Sequence, residues 1–399
     1  MKIYLSCFIV FIFFSCSDQK INIKNEKSGQ MAPTMELRQV NTKPFLLDTD
    51  TAPKPHYIQV INDSLESRQL TFLNYYNNSI YFYNYKTEKF IKKVSFDKDG
   101  PNAVKEPMGY HIKNRDSIYI FSSQLKEVLL ANSQGEILNK ISLIGGKSSK
   151  RSKTASWFYT YPNYYVETVT PFIETPRGLL LTGQFDIDMN DSIINKFKFT
   201  ANIDFKFDKI NYTHTYPPSL YGNGTVWGGG LLTEVFPQLH PDGNKIIYSF
   251  PVSHHLYITN INSNTYEKVY AGSNFAGSIS SLEKKHGRSN ERILSNFVRQ
   301  DIYAAVIYDK FRKVYYRFLR KAIPNAPIGT SWKEKNIAII IMDENFKYLG
   351  ETVLGIEREC HWQNSFVTEE GLNIEYLDIG DIEEVNLTLK IFIPKRIKI

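Results

Sequence analysis

Cysteine is scarce in this chain, with three residues among 399. Cys7 and Cys16 lie in or next to the first apolar segment, so Cys360 is the one cysteine in the remaining sequence. A single thiol cannot form an internal disulfide, which excludes a small disulfide-stabilised scaffold. We expect the fold to depend on its hydrophobic core, with Cys360 as a small buried apolar side chain.

Long apolar runs and a strong excess of one charge are also missing. The apolar run over residues 3–14 is 12 residues long, whereas a membrane-spanning helix needs about 20. The net charge of +7 arises from acidic and basic residues that are interspersed over most of the chain. Because no aromatic and basic nucleic-acid motif is present, we expect no nucleic-acid partner.

Motifs that carry well-known chemistry are absent too. The chain contains no HExxH, Walker phosphate loop, GxSxG or paired-cysteine zinc spacing. Residues 186–191 alternate oxygen ligands like the start of a calcium loop, but the sixth position lacks glycine and the twelfth lacks glutamate. We therefore predict no metal, no cofactor and no catalytic residue, and we expect a protein that is not an enzyme.

The N-terminus predicts export and a lipid anchor. Lys2 gives the N-terminus a positive charge before the apolar run. Phe13-Phe14-Ser15-Cys16 then places a small residue and a thiol at the end of that run. We predict a signal peptide over residues 1–15, lipidation of Cys16, and a location in the bacterial cell envelope, on the outer membrane. The membrane then becomes a partner, because several acyl chains anchor a protein stably. An ordinary cleaved secretory signal is the alternative.

Two regions follow the anchor. Residues 16–35 are polar and rich in Lys, Asn and Ser, a composition that predicts a flexible tether. Residues 36–399 carry β-branched and aromatic segments between turns rich in Asn, Asp, Gly and Ser, which predict short antiparallel strands. Similar strand starts recur at residues 79, 117, 178, 245, 313 and 371.

Six recurring units predict an all-β fold, a six-bladed β-propeller of antiparallel sheets over residues 36–399. Two separate β-domains are the alternative. An imperfect amphipathic pattern predicts one short helical insertion near residues 280–298. Residues 35–47 could supply a strand that closes the ring against the last blade.

The fourth unit carries a resemblance to a known type of blade. Pro237-Gln-Leu-His240-Pro-Asp-Gly243-Asn-Lys-Ile-Ile-Tyr248 resembles the first hairpin of a TolB-type blade, with Pro241-Asp242-Gly243 as its tight turn. With Cys16 and the chain length, the whole resembles bacterial lipoproteins of unknown function that fold as a six-bladed, TolB-like β-propeller. This resemblance covers residues 36–399 and implies a fold but no established activity.

Aromatic residues in the connections between units are the candidate ligand-binding residues. They precede the third, fourth and sixth units and are Trp157, Tyr161, Tyr221, Trp227 and Trp362. Because such connections gather at one face of a propeller, the rings are expected to form a ligand or partner site around the channel mouth. The alternative is that these rings pack between blades or fill the channel.

These features predict a lipid-anchored, non-enzymatic module that binds an envelope protein, peptide or glycan. The alternative function is a hydrolase or lyase with its site in the propeller channel. Carboxylates or histidines that converge on the axis would favour the enzyme. An aromatic, hydrophobic mouth would favour the binding module.

Overall fold

The computed structural model describes residues 20–51, 55, 57–62, 68–145, 159–176, 178–187, 191–377 and 385–397. The predicted signal peptide, Cys16 and Trp157 lie outside these residues. None of the described helices combines the length and the apolar character that crossing a bilayer requires.

The described chain is built mainly of short strands. The strands are β1 (Asn22–Ile23), β2 (Met35–Leu46), β3 (Ile58–Asn62), β4 (Arg68–Asn74), β5 (Ser79–Asn84), β6 (Phe90–Ser95), β7 (Pro107–Asn114), β8 (Ser117–Ser122), β9 (Glu127–Ala131), β10 (Ile137–Ser142), β11 (Ile173–Thr175), β12 (Gly178–Thr182), β13 (Lys198–Asp204), β14 (Lys209–Thr215), β15 (Phe236–Leu239), β16 (Lys245–Ser249), β17 (His255–Asn260), β18 (Glu267–Tyr270), β19 (Ile279–Ser280), β20 (Ile302–Asp309), β21 (Val314–Arg320), β22 (Asn336–Asp343), β23 (Tyr348–Ile356), β24 (Cys360–Thr368), β25 (Gly371–Tyr376) and β26 (Asn386–Arg396). The α-helices are α1 (Asp191–Ile194), α2 (Pro218–Tyr221) and α3 (Asn290–Arg299), and 3₁₀ turns lie at Gly230–Leu232, Lys284–His286 and Trp332–Glu334.

Six four-stranded antiparallel sheets form the blades of a β-propeller. Blades 1 to 4 are consecutive groups of four strands, from β3–β6 to β15–β18, and blade 5 is β20–β23. The first strands of neighbouring blades contact one another, as β20 does with β15 and β24, so these strands surround the axis. The predicted six-bladed β-propeller is confirmed.

The ring closes through β2, near the N-terminal end of the described chain. Blade 6 takes β24, β25 and β26 from the end of the chain, and β2 is its outermost strand. The pairing between β2 and β26 runs from Met35 opposite Arg396 to Leu46 opposite Asn386. This confirms the closing strand expected over residues 35–47. Main-chain hydrogen bonds between β2 and β26 therefore join the start of the propeller to its last sheet.

Burial follows the position of a strand within its blade. All seven residues of β21 are buried, because neighbouring blades cover both faces of that strand. The outer strand β6 is exposed at every position except Val94. Cys360 is a fully buried free thiol at the start of β24, as expected for a small apolar side chain.

The recurring starts predicted from the sequence mark the second strand of each blade, with one exception. The starts at 117, 178, 245, 313 and 371 fall within one residue of the second strands of blades 2 to 6. The start at 79 belongs to the third strand of blade 1, whose second strand is β4. β4 and β5 are both buried and rich in apolar residues, so composition does not distinguish their order within the blade.

The turn of the TolB-type hairpin is present where the resemblance implies it. Residues 240–244 join the first two strands of blade 4. Gly243 has a φ of 74°, which glycine adopts without strain. The Asp242 carboxylate accepts hydrogen bonds from the backbone N–H groups of Asn244 and Lys245 at 2.8 and 3.1 Å. The motif therefore forms a tight, side-chain-supported turn.

The predicted helical insertion is α3, between blades 4 and 5. Ser289 caps its N-terminus, since the side-chain oxygen accepts a hydrogen bond from the backbone N–H of Arg292 at 3.3 Å. The buried Lys335 ammonium donates to three main-chain oxygens at the other end, those of Phe297, Val298 and Gln300. A cation placed there satisfies carbonyl groups that have no partner within the helix.

The segment predicted to be a flexible tether is partly ordered against the propeller. β1 pairs with β19 in the connection between blades 4 and 5. The Asn25 amide donates to two carbonyl oxygens of that connection at 2.8 Å each, and the N–H of Gly29 donates to the oxygen of Asn274 at 2.7 Å. Composition suggested disorder because apolar residues are few, but main-chain pairing and amide side chains hold this segment instead.

Candidate functional site at the propeller channel

The aromatic residues predicted to form a binding mouth are dispersed, and most are buried. The Tyr221 hydroxyl donates to the oxygen of Leu232 and the Trp227 indole to that of Leu220, both at 2.9 Å inside the protein. Trp362 is buried in a different part of the core. Tyr161 is half-buried, and its ring lies against Tyr212 with 5.5 Å between centroids.

For the described rings, this arrangement corresponds to the alternative in which the aromatic side chains pack inside the protein. Tyr221 and Trp227 share one hydrophobic cluster, whereas Trp362 packs with Phe236 and Phe318 in another. The structure therefore does not bring them together as one exposed aromatic surface. A ligand-binding role for these rings stays a prediction.

The channel is crossed by a loop between blades 2 and 3, residues 164–172, here called the crossing loop. The Thr168 hydroxyl accepts a hydrogen bond from the backbone N–H of Ile58 in blade 1 at 2.8 Å and donates to Asn364 of blade 6 at 2.9 Å. The N–H of Val169 donates to the oxygen of Gln363, also in blade 6, at 3.2 Å. Blade 6 lies opposite blade 3 in a six-membered ring, so the loop spans the axis.

Two valines of the crossing loop fill the space that it enters. Val166 and Val169 are 1% and 3% exposed. Gly109 on β7 permits the close approach of Val166, because a Cβ at that position would lie 2.3 Å from a Val166 methyl carbon. The loop is thus a packed element of the core, and its position is determined by blades 1, 2 and 6 together.

Glu167 lies between those valines and faces a cavity with a second glutamate. The cavity has a volume of about 340 Å³ and is lined by both Glu167 and Glu234. Polar and apolar groups share the remaining wall, among them Tyr165, Thr170, Thr182, Gln184, Leu231 and Phe236. Each glutamate is half-buried, and neither carboxyl group forms a hydrogen bond or an ion pair with another described residue.

The two carboxyl groups are electrostatically perturbed in the same direction. Burial raises the pKa of Glu167 to about 7, with a further increase from Glu357. Burial also raises the pKa of Glu234 to about 8, and the nearby carboxylates of Glu167, Glu357 and Asp186 add to the effect. Near neutral pH this site therefore holds carboxyl groups that can both donate and accept a proton.

A buried cation moderates this concentration of negative charge. The Arg320 guanidinium opposes the increase in pKa at both Glu167 and Glu234. It forms an ion pair with Glu357, whose other oxygen accepts a hydrogen bond from the Trp362 indole at 3.0 Å. Trp362 thus supports the wall of the site from within the core.

A histidine and a carboxylate lie beside the crossing loop in blade 6. The His361 ring and the Asn364 amide each lie 2.6 Å from the same oxygen of Glu375. His361 lowers the pKa of Glu167, against the larger effect of burial. The crossing loop, the groups that contact Glu375 and the Arg320–Glu357 ion pair therefore form one polar region across the channel.

The Asp186 carboxylate lies next to the cavity residues Tyr165 and Gln184, and it is already hydrogen-bonded within the protein. Asp186 accepts hydrogen bonds from Asn163, from the Tyr165 hydroxyl at 3.0 Å and from the Gln184 amide at 2.8 Å. Asp186 is the first residue of the segment that resembles the start of a calcium loop, and residues 188–190 of that segment lie outside the described chain. Over the described ranges, no group of three His, Cys, Asp or Glu side chains is arranged to hold a metal ion.

Sequence reasoning missed the glutamates, although a positional signal exists. Acidic residues stand shortly before the first strand of several blades. Besides Glu167 they are Glu106, Glu234, Asp301 and Glu357. The recurring strand starts lie at the second strand of blades 2 to 6 and at the third strand of blade 1, and the acidic positions therefore fall outside the recurring pattern. Of these acidic residues, only Glu167 and Glu234 line the cavity. Asp301 instead accepts hydrogen bonds from the backbone N–H groups of Gly277 and Ala322.

Solved structures share this architecture at low sequence identity. A member of the DUF4221 family from Bacteroides vulgatus superposes with a TM-score of 0.76 and 19% identity, over 92% of this chain and 100% of that one. A Bacteroides fragilis protein described as a candidate for export superposes with a TM-score of 0.54 and 13% identity, over 91% and 96% of the two chains. At these identities the likeness establishes the fold alone. No curated protein matches the chain in sequence.

The sequence itself gives a family assignment. The profile of the family described as "Domain of unknown function (DUF4221)" matches residues 34–353. That range begins at the closing strand and extends into blade 5, so it includes the crossing loop and both glutamates of the cavity. The chain belongs to the DUF4221 family of six-bladed β-propellers.

Proposed function

We propose that this protein is a cell-envelope propeller that binds a glycan in the cavity lined by Glu167 and Glu234. The observation that carries the proposal is the pair of half-buried carboxyl groups that have no hydrogen-bond or ion-pair partner among the described residues and whose pKa values lie near neutrality. Sugar hydroxyls would give these oxygens the hydrogen-bond partners that the described part of the chain does not supply.

The remaining wall also suits a sugar. Tyr165, Thr170 and Gln184 make part of the wall polar, and Leu231 and Phe236 provide an apolar face for the C–H groups of a ring. A cavity with a few polar groups on an apolar surface is the usual form of a small-ligand site. The site proposed here differs from the aromatic mouth expected from the sequence, because those rings are largely buried.

Envelope location is the second part of the proposal. The sequence Phe13-Phe14-Ser15-Cys16 after an apolar run supports export and lipidation. The candidate export of the similar Bacteroides fragilis protein is consistent with that location. The acyl chains on Cys16 would make the outer membrane the permanent partner of the propeller.

A glycan-binding assay with matched variants tests the binding role. We expect the full chain to retain a subset of envelope-type glycans on an array, and Glu234→Gln to weaken that retention about tenfold or more. Glu267→Gln on the outer strand of blade 4, where the side chain is exposed, is the control and should bind normally. An array on which the unmodified protein retains no glycan would contradict the proposal.

Acid–base catalysis is a second candidate, and a specific observation favours it. Carboxylates that converge on the axis are the expected mark of a hydrolase or lyase, and Glu167 and Glu234 line one cavity beside the crossing loop. Carboxyl groups with pKa values of about 7 and 8 can act as acid and base at neutral pH. Chromatography of each retained glycan after incubation separates the two roles, because a binding module returns it intact.

A further inference from the structure

The ordered N-terminal segment lies beside a polar cavity that is distinct from the channel site. The N–H of Ile21 donates to the Ser281 hydroxyl at 3.0 Å, and the N–H of Ser281 donates to the oxygen of Ile21 at 2.9 Å. These bonds place Lys20 at the rim of a cavity of about 390 Å³. We call it the basic cavity; its walls are residues 278–283 and one face of α3.

The face of α3 that lines the basic cavity presents two arginines. Arg292, Asn296 and Arg299 recur at intervals of three or four residues, so they lie along one side of the helix. Arg299 donates twice to the oxygen of Ala326, at 2.9 and 2.7 Å, which holds its guanidinium in place. The side chains of Lys20 and Arg292 form no hydrogen bond or ion pair with any other described residue.

The balance of charge and the hydroxyl groups around this cavity suit a phosphate. Glu283 also lines it, but pairs with Lys285 at 2.8 Å. That contact, with the nearby charges of His286 and Lys20, lowers the pKa of Glu283. Arginine and lysine are the side chains that bind phosphate oxygens most strongly, and the hydroxyl groups of Ser278 and Ser295 add donors.

The predicted anchor would bring this cavity to a bilayer. Lys20 lies four residues after Cys16, and four extended residues span at most about 14 Å. A lipidated Cys16 would therefore hold the basic cavity within reach of the lipid headgroups. Basic pockets next to a membrane commonly bind anionic headgroups.

We propose that the basic cavity binds the phosphate of an anionic phospholipid headgroup in the bilayer that carries the anchor. The proposal uses the predicted lipidation of Cys16 for proximity and is independent of the glycan site. It has a consequence for orientation. α3 belongs to a connection between blades, at the same end of the propeller as the crossing loop, so this end would face the membrane.

Vesicle binding without the acyl chains tests the headgroup contact directly. The chain from Ser17 onward retains every described residue and can be mixed with vesicles of phosphatidylcholine, with or without phosphatidylglycerol. We expect sedimentation with the anionic vesicles only. The double variant Lys20→Ala, Arg292→Ala should bind them at least about tenfold more weakly.

A matched pair of lysines controls for net charge. Lys86 and Lys89 are exposed in the turn after β5, at the opposite end of the blades, so Lys86→Ala, Lys89→Ala removes the same charge and should bind like the parent. Equal weakening in both double variants, equal binding to neutral vesicles, or no vesicle binding would overturn the proposal. Binding of inorganic phosphate without binding to anionic vesicles would assign a free-phosphate site and would also overturn it.

Discussion

Arg320 and Glu357 form a buried ion pair that joins the hydrophobic core to the channel site. The guanidinium Nε lies 3.0 Å from a carboxylate oxygen, and the two side chains are 4% and 3% exposed. The same guanidinium lies 4.4 Å from the centroid of the Phe297 ring in α3. Arg320 therefore neutralises a buried carboxylate, packs on the helical insertion and opposes the increase in the pKa of Glu167 and Glu234.

Removal of this arginine should destabilise the protein strongly. We expect Arg320→Ala to lower the free energy of unfolding by about 3–5 kcal/mol, because it leaves Glu357 buried without its cation. Denaturant titration measures the change. Arg38→Ala removes an exposed partner of Glu36 at the edge of blade 6 and should cost less than about 1 kcal/mol. Equal losses in the two variants would contradict the role assigned to burial.

The channel glutamates should make stability decrease as the pH rises. Their pKa values are about 7 and 8 in the folded protein, above the ordinary value of 4.5. Above pH 4.5 the unfolded chain loses these protons first, so the folded state is progressively disfavoured up to about pH 8. We expect the melting temperature of Glu167→Gln, Glu234→Gln to exceed that of the parent at pH 8, with a smaller difference at pH 5. A difference that does not change with pH would refute the assignment.

A methyl group at position 109 should disturb the crossing loop. Gly109→Ala places a carbon 2.3 Å from a Val166 methyl carbon, and we expect a loss of about 1–3 kcal/mol in the free energy of unfolding. Adding Val166→Ala to that variant should restore part of the loss, because it removes the clashing methyl. Gly277→Ala is a suitable control, since its new carbon would have no neighbour closer than 3.9 Å.

Trp227 should behave as a core residue. Its side chain is 3% exposed, so Trp227→Ala should lower the free energy of unfolding by about 3–5 kcal/mol. Thermal unfolding followed by circular dichroism measures this effect. A variant with the melting temperature of the parent and a loss of ligand binding would instead support the surface role predicted from the sequence.

The anchor prediction can be tested in cells. Cys16→Ala should release the protein from the membrane fraction or leave its signal uncleaved, because the thiol that receives the lipid is gone. Metabolic labelling with a fatty acid should mark the parent only. Equally strong labelling of the variant would show that another residue carries the lipid.

The sequence alone determined the architecture of the domain, since that architecture depends on local patterns. Alternation of β-branched and aromatic residues with polar turns located most strands, and residues 35–47 indicated how the ring closes. The amphipathic pattern near 280–298 located α3. These features depend on residues close together in the chain, for which propensity and periodicity are direct evidence.

Tertiary structure decided the site, because its residues come from distant parts of the chain. Glu167 and Glu234 are 67 positions apart in the sequence. They line the same cavity only because the crossing loop spans the axis to reach blades 1 and 6. The aromatic residues chosen from the sequence occupy connections, yet Tyr221, Trp227 and Trp362 turn into the core. Whether a ring or a carboxyl group in a connection faces solvent depends on how the blades pack around it. That packing is a property of the closed ring and has no local sequence signal.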